Sequence, residues 1–397
     1  MTTSSSSKLK VLMVSTSYPM QPDSVSGIFV RRLVDALQAD AALTVVAPAS
    51  NTAGDGRCAS HPMVAVRYAP RRYRTLAHLP GGIPAALARN PFNIMFVLSL
   101  FSGLFLAAVR HGRKASLIHA NWSLTGLVCG LAGRLIARPT IVTLRGSDVS
   151  GLGGSRLKRL VMRATLTLVH TAVTVSDAMR AELVEHFPHR RGKIVVIPNG
   201  VSATLLELPP APAVEPLRLL FAGNLIRGKG VYELLQALRQ FETAFTLTIA
   251  GGGPERIALE AATKAYGLAK SVRFVGTIAP EDMDDLYAQH EILVLPSHAE
   301  GRPNVVVEAM AAGRVVVASK LPGIAELISH NHNGVLIEPG DVAALRAALQ
   351  SLAYNPCRRS ELAAAARATI HALGVDWHHC AQRYLALYAN LTDMNGA

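Results

Sequence analysis

The sequence predicts an α/β protein with two doubly wound parallel-sheet domains, and three observations lead to this fold class. The chain has 397 residues, enough for two domains that each bury a core. From residue 11 onward, short β-branched segments alternate with longer helical patterns, as in parallel α/β units. A proline-rich segment interrupts this alternation once, after which it restarts. Half of the residues are apolar and 17% are charged, which excludes a disordered chain.

The predicted strands are short and continuously apolar, which is typical of strands covered by helices on both faces of a sheet. In the first half of the chain they are Val11–Ser15, Leu43–Ala47, Leu117–His119, Thr140–Leu144, Ala172–Val175 and Ile194–Ile197. In the second half they are Leu217–Ala222, Phe245–Ala250, Val272–Val275, Ile292–Leu295, Val315–Ala318 and Val335–Ile337.

Prolines mark the predicted linker between the two halves. Pro209, Pro210, Pro212 and Pro216 prevent a helix and interrupt strand pairing. We therefore predict an N-terminal domain at 1–203 and a C-terminal domain at 204–377, with the last helix, about 378–394, packing back on the first domain. Two such sheets are expected to form a crevice at the carboxyl ends of their strands, where α/β proteins bind ligands.

The positive charge of the chain is confined to its N-terminal half. Residues 1–200 hold 24 Lys and Arg against 8 Asp and Glu, whereas the remainder holds 16 against 19. This asymmetry predicts an anionic partner, either a nucleic acid or an anionic membrane surface, with scattered solvated arginines as the alternative. Aromatic residues are only 5% of the chain, and no motif interleaves them with basic residues, which argues against nucleic acid.

One apolar segment, residues 94–109, raises the question of whether the protein contacts a membrane. Residues 94–109 contain no charge and are flanked by Arg110, Arg113 and Lys114. These 16 residues fall short of the roughly 20 that span a bilayer. Two interpretations remain open: a buried helix of the first domain, or an interfacial helix that touches a membrane. The nearby arginines at 71, 72 and 74 favour the second.

The cysteines and the first residues indicate a reducing cytoplasm. The four cysteines are widely separated and include no C-x-x-C pair, so neither a zinc site nor a disulfide framework is indicated; they are Cys58, Cys129, Cys357 and Cys380. The first ten residues and the apolar segment after them predict a disordered tail and a first strand rather than a signal peptide.

The densest motif is LPSHAEGRPNVVVEAMAAG, residues 295–313. A strand ends at Leu295, a loop follows, and Pro303 stands where a proline opens a helix. The start of that helix presents backbone N–H groups and a positive dipole end, which suit a phosphate. Glu300 lies in the loop and Glu308 about one and a half turns into the helix, so both are expected to face one cleft. Carboxylates accept hydrogen bonds from vicinal hydroxyls, as in sugars and ribose. Taken alone, the pair could equally be two solvated surface glutamates.

This E-x7-E pair, followed by AMAAG and preceded by LPS, resembles the retaining glycosyltransferases of family 4, which have the GT-B fold of two Rossmann-like domains. Other stretches resemble blocks of that family in the same order: IPNGV (197–201), FAGNLIRGKG (221–230), IAGGGPE (249–255), VRFVGTI (272–278), LPGIAELI (321–328) and NGVLIEPGD (333–341). Three stretches resemble the branch that builds bacterial cell-surface polysaccharides: YPMQPDSVSGIFVRRL (18–33), HANW (119–122) and TLRGSDV (143–149).

The resemblance implies roles on the donor side. Glu308 is expected to bind the ribose hydroxyls, Glu300 the hydroxyls of the transferred sugar, and Lys229 the phosphates. The diphosphate is expected against the backbone of Gly301, Arg302, Pro303, Asn304 and Val305. A basic loop also fits the chemistry, since a diphosphate leaving group develops charge that must be stabilised.

The phosphate block departs from the family pattern at one position. An arginine usually follows the glycine at the position of Gly223, whereas this chain has Asn224, so Arg227 is the candidate for that charge. Gly251 is assigned to the donor side as well. Gly27 opens the first helix, where the absence of a side chain would let the backbone approach the phosphate, with an ordinary turn as the alternative.

The acceptor-side candidates are His119, Arg145 and Asp148. Arg145 stands where the family more often has histidine, so a role of that histidine does not transfer, and Arg145 is instead a candidate for binding an anionic sugar or phosphate. Asp148 is expected to orient Arg145 or to cap the next segment. His119 closes a predicted strand and is either an acceptor contact or a structural histidine. The D-x-D near residue 284 opens a helix after Pro280 and is interpreted as capping rather than as a metal site.

The resemblance implies a retaining, metal-independent hexosyl transfer from a nucleotide-diphosphate sugar, with UDP expected rather than GDP. The expected acceptor is a glycan or a polyprenyl-diphosphate-linked glycan in cell-surface polysaccharide synthesis, at the inner face of the cytoplasmic membrane. No cofactor beyond the nucleotide sugar, no metal and no nucleic-acid partner is expected. The alternative is a non-catalytic nucleotide-sugar-binding or assembly protein at the membrane, against which the intact set of Glu300, Lys229 and Glu308 argues.

Overall fold

The computed structural model describes residues 8–19, 27–51, 61–74, 76, 83, 86–87, 90–211 and 215–393. The predicted N-terminal tail before residue 8, Cys58, Pro212 and residues 20–26 of the block at 18–33 lie outside the described residues. The chain divides into two compact units, one of Met1–Pro198 with Trp377–Ala397 and one of Asn199–Asp376.

The N-terminal unit is built on a seven-stranded sheet in the order β3-β2-β1-β4-β5-β6-β7, and every pairing is parallel. Its strands are β1 Leu9–Val14, β2 Ala41–Pro48, β3 Met63–Val66, β4 Leu117–Asn121, β5 Thr140–Leu144, β6 Thr171–Thr174 and β7 Ile194–Val196. The edge strand β3 was not predicted, because its four residues are too few to show a clear periodicity; three of them are half-buried and Val66 is buried.

Helices cover both faces of this sheet. They are α1 Ile28–Leu37, α2 Ile94–Gly112, α3 Ser123–Leu135, α4 Arg156–Leu168, α5 Asp177–His186 and the last helix, α14 Trp377–Asp393. Residues of α2 to α5 share one buried cluster with Val14, Ile118 and Val142 of the sheet. Residues of α1 and α14 share another cluster, on the opposite face. The last helix therefore belongs to the core of the N-terminal unit.

The C-terminal unit holds a six-stranded parallel sheet in the order β10-β9-β8-β11-β12-β13. Its strands are β8 Leu217–Ala222, β9 Phe245–Ala250, β10 Val272–Gly276, β11 Ile292–Leu295, β12 Val315–Ser319 and β13 Val335–Ile337. Its helices are α6 Ala203–Glu207, α7 Val231–Leu238, α8 Arg256–Ala265, α9 Met283–Gln289, α10 Asn304–Ala311, α11 Pro322–Ala325, α12 Val342–Tyr354 and α13 Pro356–Leu373.

The chain passes from one unit to the other at Pro198, before the proline-rich segment that marked the predicted linker. The described part of that segment at 208–211 packs on the C-terminal unit. Its prolines lack N–H groups, so its backbone is held through carbonyl oxygens: Arg367 donates to Leu208 O at 2.6 Å and Arg314 to Pro209 O at 2.8 Å.

Candidate active site

The loops that follow β8 and β11 lie side by side because these two strands are neighbours in the C-terminal sheet. The strand order reverses between them, and doubly wound sheets bind ligands at such a switch point, outside the carboxyl ends of the strands. A backbone hydrogen bond joins the two loops, since the N–H of His298 donates to Gly228 O at 2.9 Å. The fold therefore brings together two segments that are about 70 residues apart in sequence.

Gly230 fixes the end of the first loop. Its φ is +71°, in the left-handed region, and a Cβ at this position would lie 1.9 Å from the carbonyl oxygen of Pro296. Any side chain would force the two loops apart. The glycine thus allows the short 3-10 turn Arg227–Lys229 to lie against the loop that carries Glu300.

Lys229 and Glu300 form the closest charged contact at this switch point. Lys229 Nζ lies 2.5 Å from Glu300 Oε1, and Ser297 Oγ donates to the same oxygen at 2.8 Å. Both charged side chains are largely buried but keep some solvent access, 21% for the lysine and 10% for the glutamate. A carboxylate and an ammonium fixed in this way can bind sugar hydroxyls and a phosphate, respectively.

Arg227 is placed differently from Lys229 although both belong to the same turn. Its guanidinium lies 4.4 Å from the ring centroid of Tyr232, and the Tyr232 hydroxyl donates to Glu255 Oε2 at 3.2 Å. The side chain of Arg227 is exposed. The structure thus shows Arg227 stacked on an aromatic ring, beside the cluster of Lys229 and Glu300 rather than in it.

Glu308 lies in α10 and is held by a buried tyrosine. Its Oε2 accepts a hydrogen bond of 2.9 Å from the hydroxyl of Tyr287, which α9 buries beneath it. The residue is 9% exposed, so little of its surface meets solvent. The hydrogen bond fixes the carboxylate in one orientation, which is what recognition of a diol requires.

The backbone from Gly301 to Val305 leads into α10. Pro303 is the N-cap, with ψ of 119°, and the helix begins at Asn304, one residue later than predicted. Its first N–H groups have no acceptor within the helix, as at any helix start. The side chain of Asn304 accepts a hydrogen bond of 3.0 Å from Asn199 Nδ2.

A second segment supports this backbone from behind. A Cβ on Gly323 would lie 1.4 Å from the carbonyl oxygen of Gly301, so α11 packs closely under the loop. Arg302 Nε lies 3.4 Å from Glu326 Oε1, and the arginine side chain is 5% exposed. The guanidinium of Arg302 is thus turned toward α11, and this residue offers its backbone to the start of α10.

The remaining donor-side candidates lie at the ends of β8 and β9. The N–H of Gly223 donates to Ala250 O at 2.9 Å, and a Cβ on Gly251 would lie 1.8 Å from Gly223 O. The φ of Gly251 is +144°. These glycines let the two loops pack tightly, while the side chain of Asn224 is exposed next to them.

The acidic residues of the D-x-D lie at the start of α9. Asp282 is the N-cap, and Asp284 and Asp285 occupy the first turn, where negative charge favours the helix dipole. Asp284 also accepts a hydrogen bond from Thr204. Within the described ranges, no group of three or more His, Cys, Asp or Glu side chains is arranged to hold a metal ion.

In the N-terminal unit, Arg145 lies where β5 ends, next to the end of β4. Its Nη2 donates to Asn121 Oδ1 at 2.9 Å, and its guanidinium lies 4.4 Å from the ring centroid of Phe29. The side chain is buried, and this burial lowers the pKa of Arg145. The phenyl ring of Phe29 also lies 5.8 Å from the ring of Trp122. The cluster combines a cation with two aromatic rings.

Asp148 stabilises this corner through backbone and side-chain groups. Its Oδ2 accepts the backbone N–H of Arg145 at 2.9 Å, and its Oδ1 accepts the N–H and hydroxyl of Ser123 at 2.8 and 2.7 Å. Burial raises the pKa of Asp148, and these hydrogen bonds oppose the rise. Asp148 therefore holds the backbone of Arg145 and caps the start of α3.

The structure makes His119 a structural residue rather than an acceptor contact. The strand runs two residues beyond it, and the side chain is fully buried. Its Nδ1 lies 2.6 Å from the Tyr388 hydroxyl and its Nε2 2.8 Å from Thr143 Oγ1. Burial, with a smaller effect of Arg145, lowers the pKa of His119 to about 3. The histidine is thus neutral and joins the sheet to α14.

Gly27 and Trp122 have special backbone conformations at the switch point of the N-terminal sheet. Gly27 has φ of +76°, and a Cβ there would lie 2.2 Å from Ser17 O, so the local backbone conformation requires glycine at this position. Trp122, directly after β4, has φ of 68° and ψ of 152°, a region that is almost exclusive to glycine. Strain of this kind at a strand end is typical of functional sites.

Two family models match the chain. Residues 26–205 match Glycosyltransferase Family 4, and residues 209–369 match Glycosyl transferases group 1. Over 286 residues the chain is 30% identical to the glycogen synthase of Mycobacterium tuberculosis, covering 69% of each protein. The chain belongs to glycosyltransferase family 4. It is an enzyme family that transfers sugars from nucleotide-sugar donors, and its members share the two parallel-sheet domains of the GT-B fold.

Solved structures agree on the fold of this family 4 glycosyltransferase. Sucrose-phosphate synthase from Thermosynechococcus elongatus superimposes with a TM-score of 0.80 at 21% identity, covering 98% of this chain and 100% of that one. HepE of Anabaena in complex with UDP-glucose gives a TM-score of 0.75 at 20% identity, covering 96% and 100%.

Several residues of the two clusters were missed from the sequence. Ser297 stands three residues before Glu300 in the quoted LPS motif, and Asn121 stands in the quoted HANW motif, so position alone could have singled them out. Phe29 stands in the quoted block at 18–33 and could have been singled out in the same way. Tyr287 carries no such signal, because it reaches the site from another helix.

Proposed function

We propose that this glycosyltransferase moves a hexosyl group from a UDP-sugar to a glycan or polyprenyl-diphosphate-linked acceptor, with retention of the anomeric configuration, in the synthesis of a cell-surface polysaccharide. The observation that carries the proposal is the cluster of Lys229, Ser297 and Glu300 at the switch point of the C-terminal sheet. It pairs a cation suited to a diphosphate with a carboxylate suited to sugar hydroxyls.

The proposed donor site divides into three parts. Lys229 and the N-terminal end of α10 bind the diphosphate, since both offer positive charge and hydrogen-bond donors. Glu300 orients the sugar through its hydroxyls. Glu308, fixed by Tyr287, binds the ribose. The donor is assigned to uridine because HepE, a structural neighbour of the same fold, is known in complex with UDP-glucose.

The proposed reaction breaks the bond between the anomeric carbon and the diphosphate oxygen and forms the bond to the acceptor oxygen on the same face of the sugar. The diphosphate oxygen that departs takes the proton of the acceptor hydroxyl. Lys229 stabilises the charge that develops on this leaving group. Glu300 stabilises the positive charge that develops on the sugar ring and is a positioning group rather than a covalent nucleophile. The proposal needs no metal and no cofactor besides the nucleotide sugar.

The acceptor side is assigned to the N-terminal unit. Arg145, with Asn121 and the rings of Phe29 and Trp122, can bind an anionic and partly apolar group. A glycan attached through a diphosphate to a polyprenyl chain has this chemistry. Relatives of the family include a glycogen synthase and a sucrose-phosphate synthase, so the acceptor is set by residues of this unit rather than by the family.

Donor binding tests the first half of the proposal. We expect calorimetric titration to show binding of UDP-sugars in preference to GDP-sugars, and Glu308→Ala to weaken that binding at least about tenfold. The matched control is Glu260→Ala, a half-exposed helical glutamate of the same unit that pairs with Arg256. Equal affinity for GDP-sugars, or an unchanged affinity in Glu308→Ala, would contradict the donor assignment.

The anomeric configuration of the product tests the second half of the proposal, the retaining and metal-independent transfer. The product formed on a polyprenyl-diphosphate-linked sugar is examined by NMR, and the coupling constant of the anomeric proton is expected to match that of the donor. An inverted linkage would refute the mechanism. Activity is expected to survive removal of divalent cations with EDTA, and loss of turnover that Mg²⁺ restores would contradict the metal-independent step.

A further inference from the structure

Helix α2 of the N-terminal unit has one buried face and one bare apolar face. Within the described residues, Pro91–Gly112 is the one segment long and apolar enough to cross a membrane by length and composition, with a mean hydropathy of 2.2. Its buried residues are Val97, Leu100, Leu104, Ala108 and Gly112, a single stripe that packs on the sheet. Only 28% of its most apolar 18-residue window is buried. The helix is therefore not a core helix.

The outward face of α2 carries large apolar side chains and no charge over about four turns. Leu98 and Leu106 are each 66% exposed, and Met95 is 60% exposed. Two serines, Ser99 and Ser102, lie between them and are also exposed. Soluble helices normally carry charged residues on this face, so the pattern indicates that something apolar covers it.

The two neighbouring helices extend this apolar surface. Helix α3 packs beside α2 and α4 beside α3, and all three cover the same face of the sheet, so their outward faces look to the same side. Leu131 and Leu135 are exposed on α3, and Leu157 and Leu160 on α4. We call the exposed leucines and Met95 of these three helices the apolar face.

Basic residues surround the apolar face, and acidic residues are almost absent from this part of the chain. Residues 91–168 contain ten Lys and Arg and a single acidic residue, Asp148, which is half-buried and accepts hydrogen bonds from Ser123 and from the backbone of Arg145. Arg110, Arg113 and Lys114 are exposed at the carboxyl end of α2. Arg134, Arg156, Lys158 and Arg163 are exposed on α3 and α4.

Basic residues also lie near the amino end of α2. The ring of Tyr73 stacks on Phe96 of α2 with centroids 5.5 Å apart, and the guanidinium of Arg72 lies 4.7 Å from the Tyr73 centroid. Arg71 and Arg72 are exposed beside it. An exposed tyrosine between arginines and an apolar helix is typical of the boundary between lipid headgroups and acyl chains.

We propose that the apolar face of α2, α3 and α4, with its basic surround, is a docking surface for an anionic lipid bilayer. The leucines and Met95 insert among the acyl chains, and the surrounding arginines and lysines bind lipid phosphates. Helix α2 lies in the plane of the membrane rather than across it, because its buried stripe packs on the sheet. Its last turn is basic, and Arg72 lies near its amino end through the stacked pair of Tyr73 and Phe96. The inference goes beyond the proposed transfer reaction and does not depend on the donor or the linkage.

A second copy of the chain fits this surface less well. An isologous dimer would place two strongly basic surfaces against each other. The single acidic residue within 91–168, Asp148, already accepts hydrogen bonds from Ser123 and from the backbone of Arg145. An anionic bilayer supplies both the apolar phase and the opposite charge.

The test is flotation of the full chain with vesicles of phosphatidylcholine alone and of phosphatidylcholine mixed with phosphatidylglycerol. We expect binding to the anionic vesicles, little binding to the neutral ones, and a loss of binding as the salt concentration rises. The double variant Leu98→Ser, Leu106→Ser should lower the bound fraction about tenfold or more, because it removes two inserting side chains. Arg113→Glu with Lys114→Glu should weaken binding to anionic vesicles specifically.

Matched controls come from the C-terminal unit. Ile257→Ser removes an apolar side chain of α8 that is even more exposed than Leu98 and Leu106, and Lys264→Glu with Lys270→Glu makes the same charge change elsewhere. Both control variants should bind vesicles as the parent does. Absence of binding to anionic vesicles, or equal binding by parent and Leu98→Ser, Leu106→Ser, would overturn the proposal. The proposal would also be overturned if light scattering showed a dimer that the Leu98→Ser, Leu106→Ser variant dissociates while the parent does not bind vesicles. Circular dichroism confirms that each variant is folded, which these exposed positions favour.

Discussion

The Nζ atom of Lys229 lies 2.5 Å from Oε1 of Glu300, across two loops that the strand order of the C-terminal sheet makes neighbours. The contact holds each of the two side chains in place. Ser297 adds a second hydrogen bond to the same carboxylate oxygen. The two side chains therefore act as a unit, and their substitutions are expected to be coupled rather than independent.

The first prediction concerns this coupling. Lys229→Met and Glu300→Gln are each expected to lower kcat by about 100-fold or more, because each removes charge that stabilises the transition state. The kcat of the double variant should be close to that of the less active single variant, because the loss of either residue already disrupts the pair. Steady-state kinetics with saturating donor measures all four proteins.

An exposed ion pair of the same unit is the control for this cycle. Lys320 Nζ lies 3.6 Å from Glu338 Oε1, with both side chains more than half exposed. Lys320→Met is expected to change kcat less than about twofold, as exposed pairs contribute little. Fully additive effects of Lys229→Met and Glu300→Gln would show that the contact in the structure has no functional meaning.

The second prediction concerns the glycine that ends the Lys229 turn. Gly230→Ala is expected to destabilise the C-terminal unit by about 2 kcal/mol or more, because the left-handed φ and the approach to Pro296 O both exclude a Cβ. Gly228→Ala, two residues earlier, is the control: a Cβ there has no neighbour within 4 Å.

Urea unfolding distinguishes the two glycine variants. Both tryptophans of the chain, Trp122 and Trp377, belong to the N-terminal unit, whereas circular dichroism reports on both units. Gly230→Ala should shift the dichroism transition without shifting the tryptophan fluorescence transition. If Gly230→Ala and Gly228→Ala unfold alike, the packing of the two loops is not as described.

Much of the fold could be predicted because parallel strands covered on both faces are continuously apolar, a signal that survives in one sequence. The edge strand Met63–Val66 was not predicted; it is paired on one side only, and three of its four residues are half-buried. The predicted end of β4, at His119, falls two residues short of the observed end at Asn121. Both are buried within the strand, and a partner of His119 is Tyr388, 269 residues away in sequence.

The site could be predicted in its residue types but not in its contacts. Glu300 stood out through its place in the E-x7-E motif, and Lys229 through the resemblance of FAGNLIRGKG to a family block. Their meeting depends on β8 lying beside β11, which is a property of strand order rather than of either segment. The support of Glu308 by Tyr287 likewise depends on how α9 packs on α10. Long-range packing of this kind leaves no local pattern in the chain.

The third prediction concerns pH. The ordinary pKa of histidine is 6.5, and burial lowers that of His119 to about 3. Between these values the unfolded chain binds a proton at this position and the folded chain does not, so stability falls as the pH is lowered from 6.5 toward 3. The contribution amounts to about 2 kcal/mol on going from about pH 7 to about pH 5.

Replacement by glutamine separates this effect from other acid effects. His119→Gln cannot titrate, so its unfolding free energy, measured by tryptophan fluorescence in urea, should depend less steeply on pH than that of the parent. His378→Gln, at an exposed position of α14 in the same unit, should leave the parent slope unchanged. A slope in His119→Gln as steep as the parent's would mean that His119 is protonated in the folded state.

The fourth prediction concerns the strained backbone of Trp122. Its φ of 68° and ψ of 152° suit glycine and cost a residue with a side chain about 1–3 kcal/mol. Trp122→Ala and Trp122→Gly both remove the ring that contacts Phe29, but only the alanine keeps the strain. The glycine variant should therefore be the more stable of the two by about 1 kcal/mol or more, the reverse of the usual order. Fluorescence of Trp377 in urea measures both.

Leu131 is an exposed residue in the middle of α3 and supplies the matched control. There the usual order should hold, with Leu131→Ala more stable than Leu131→Gly by about 1 kcal/mol.

If the ring of Trp122 binds the acceptor, both Trp122 variants should raise KM for the acceptor by a similar factor and leave the Kd of the donor unchanged. If the strained backbone serves acceptor binding, Trp122→Gly should be more stable but less active than Trp122→Phe. If Trp122→Phe were both more stable and more active than Trp122→Gly, the strain would be small and Trp122 would serve mainly to pack against Phe29.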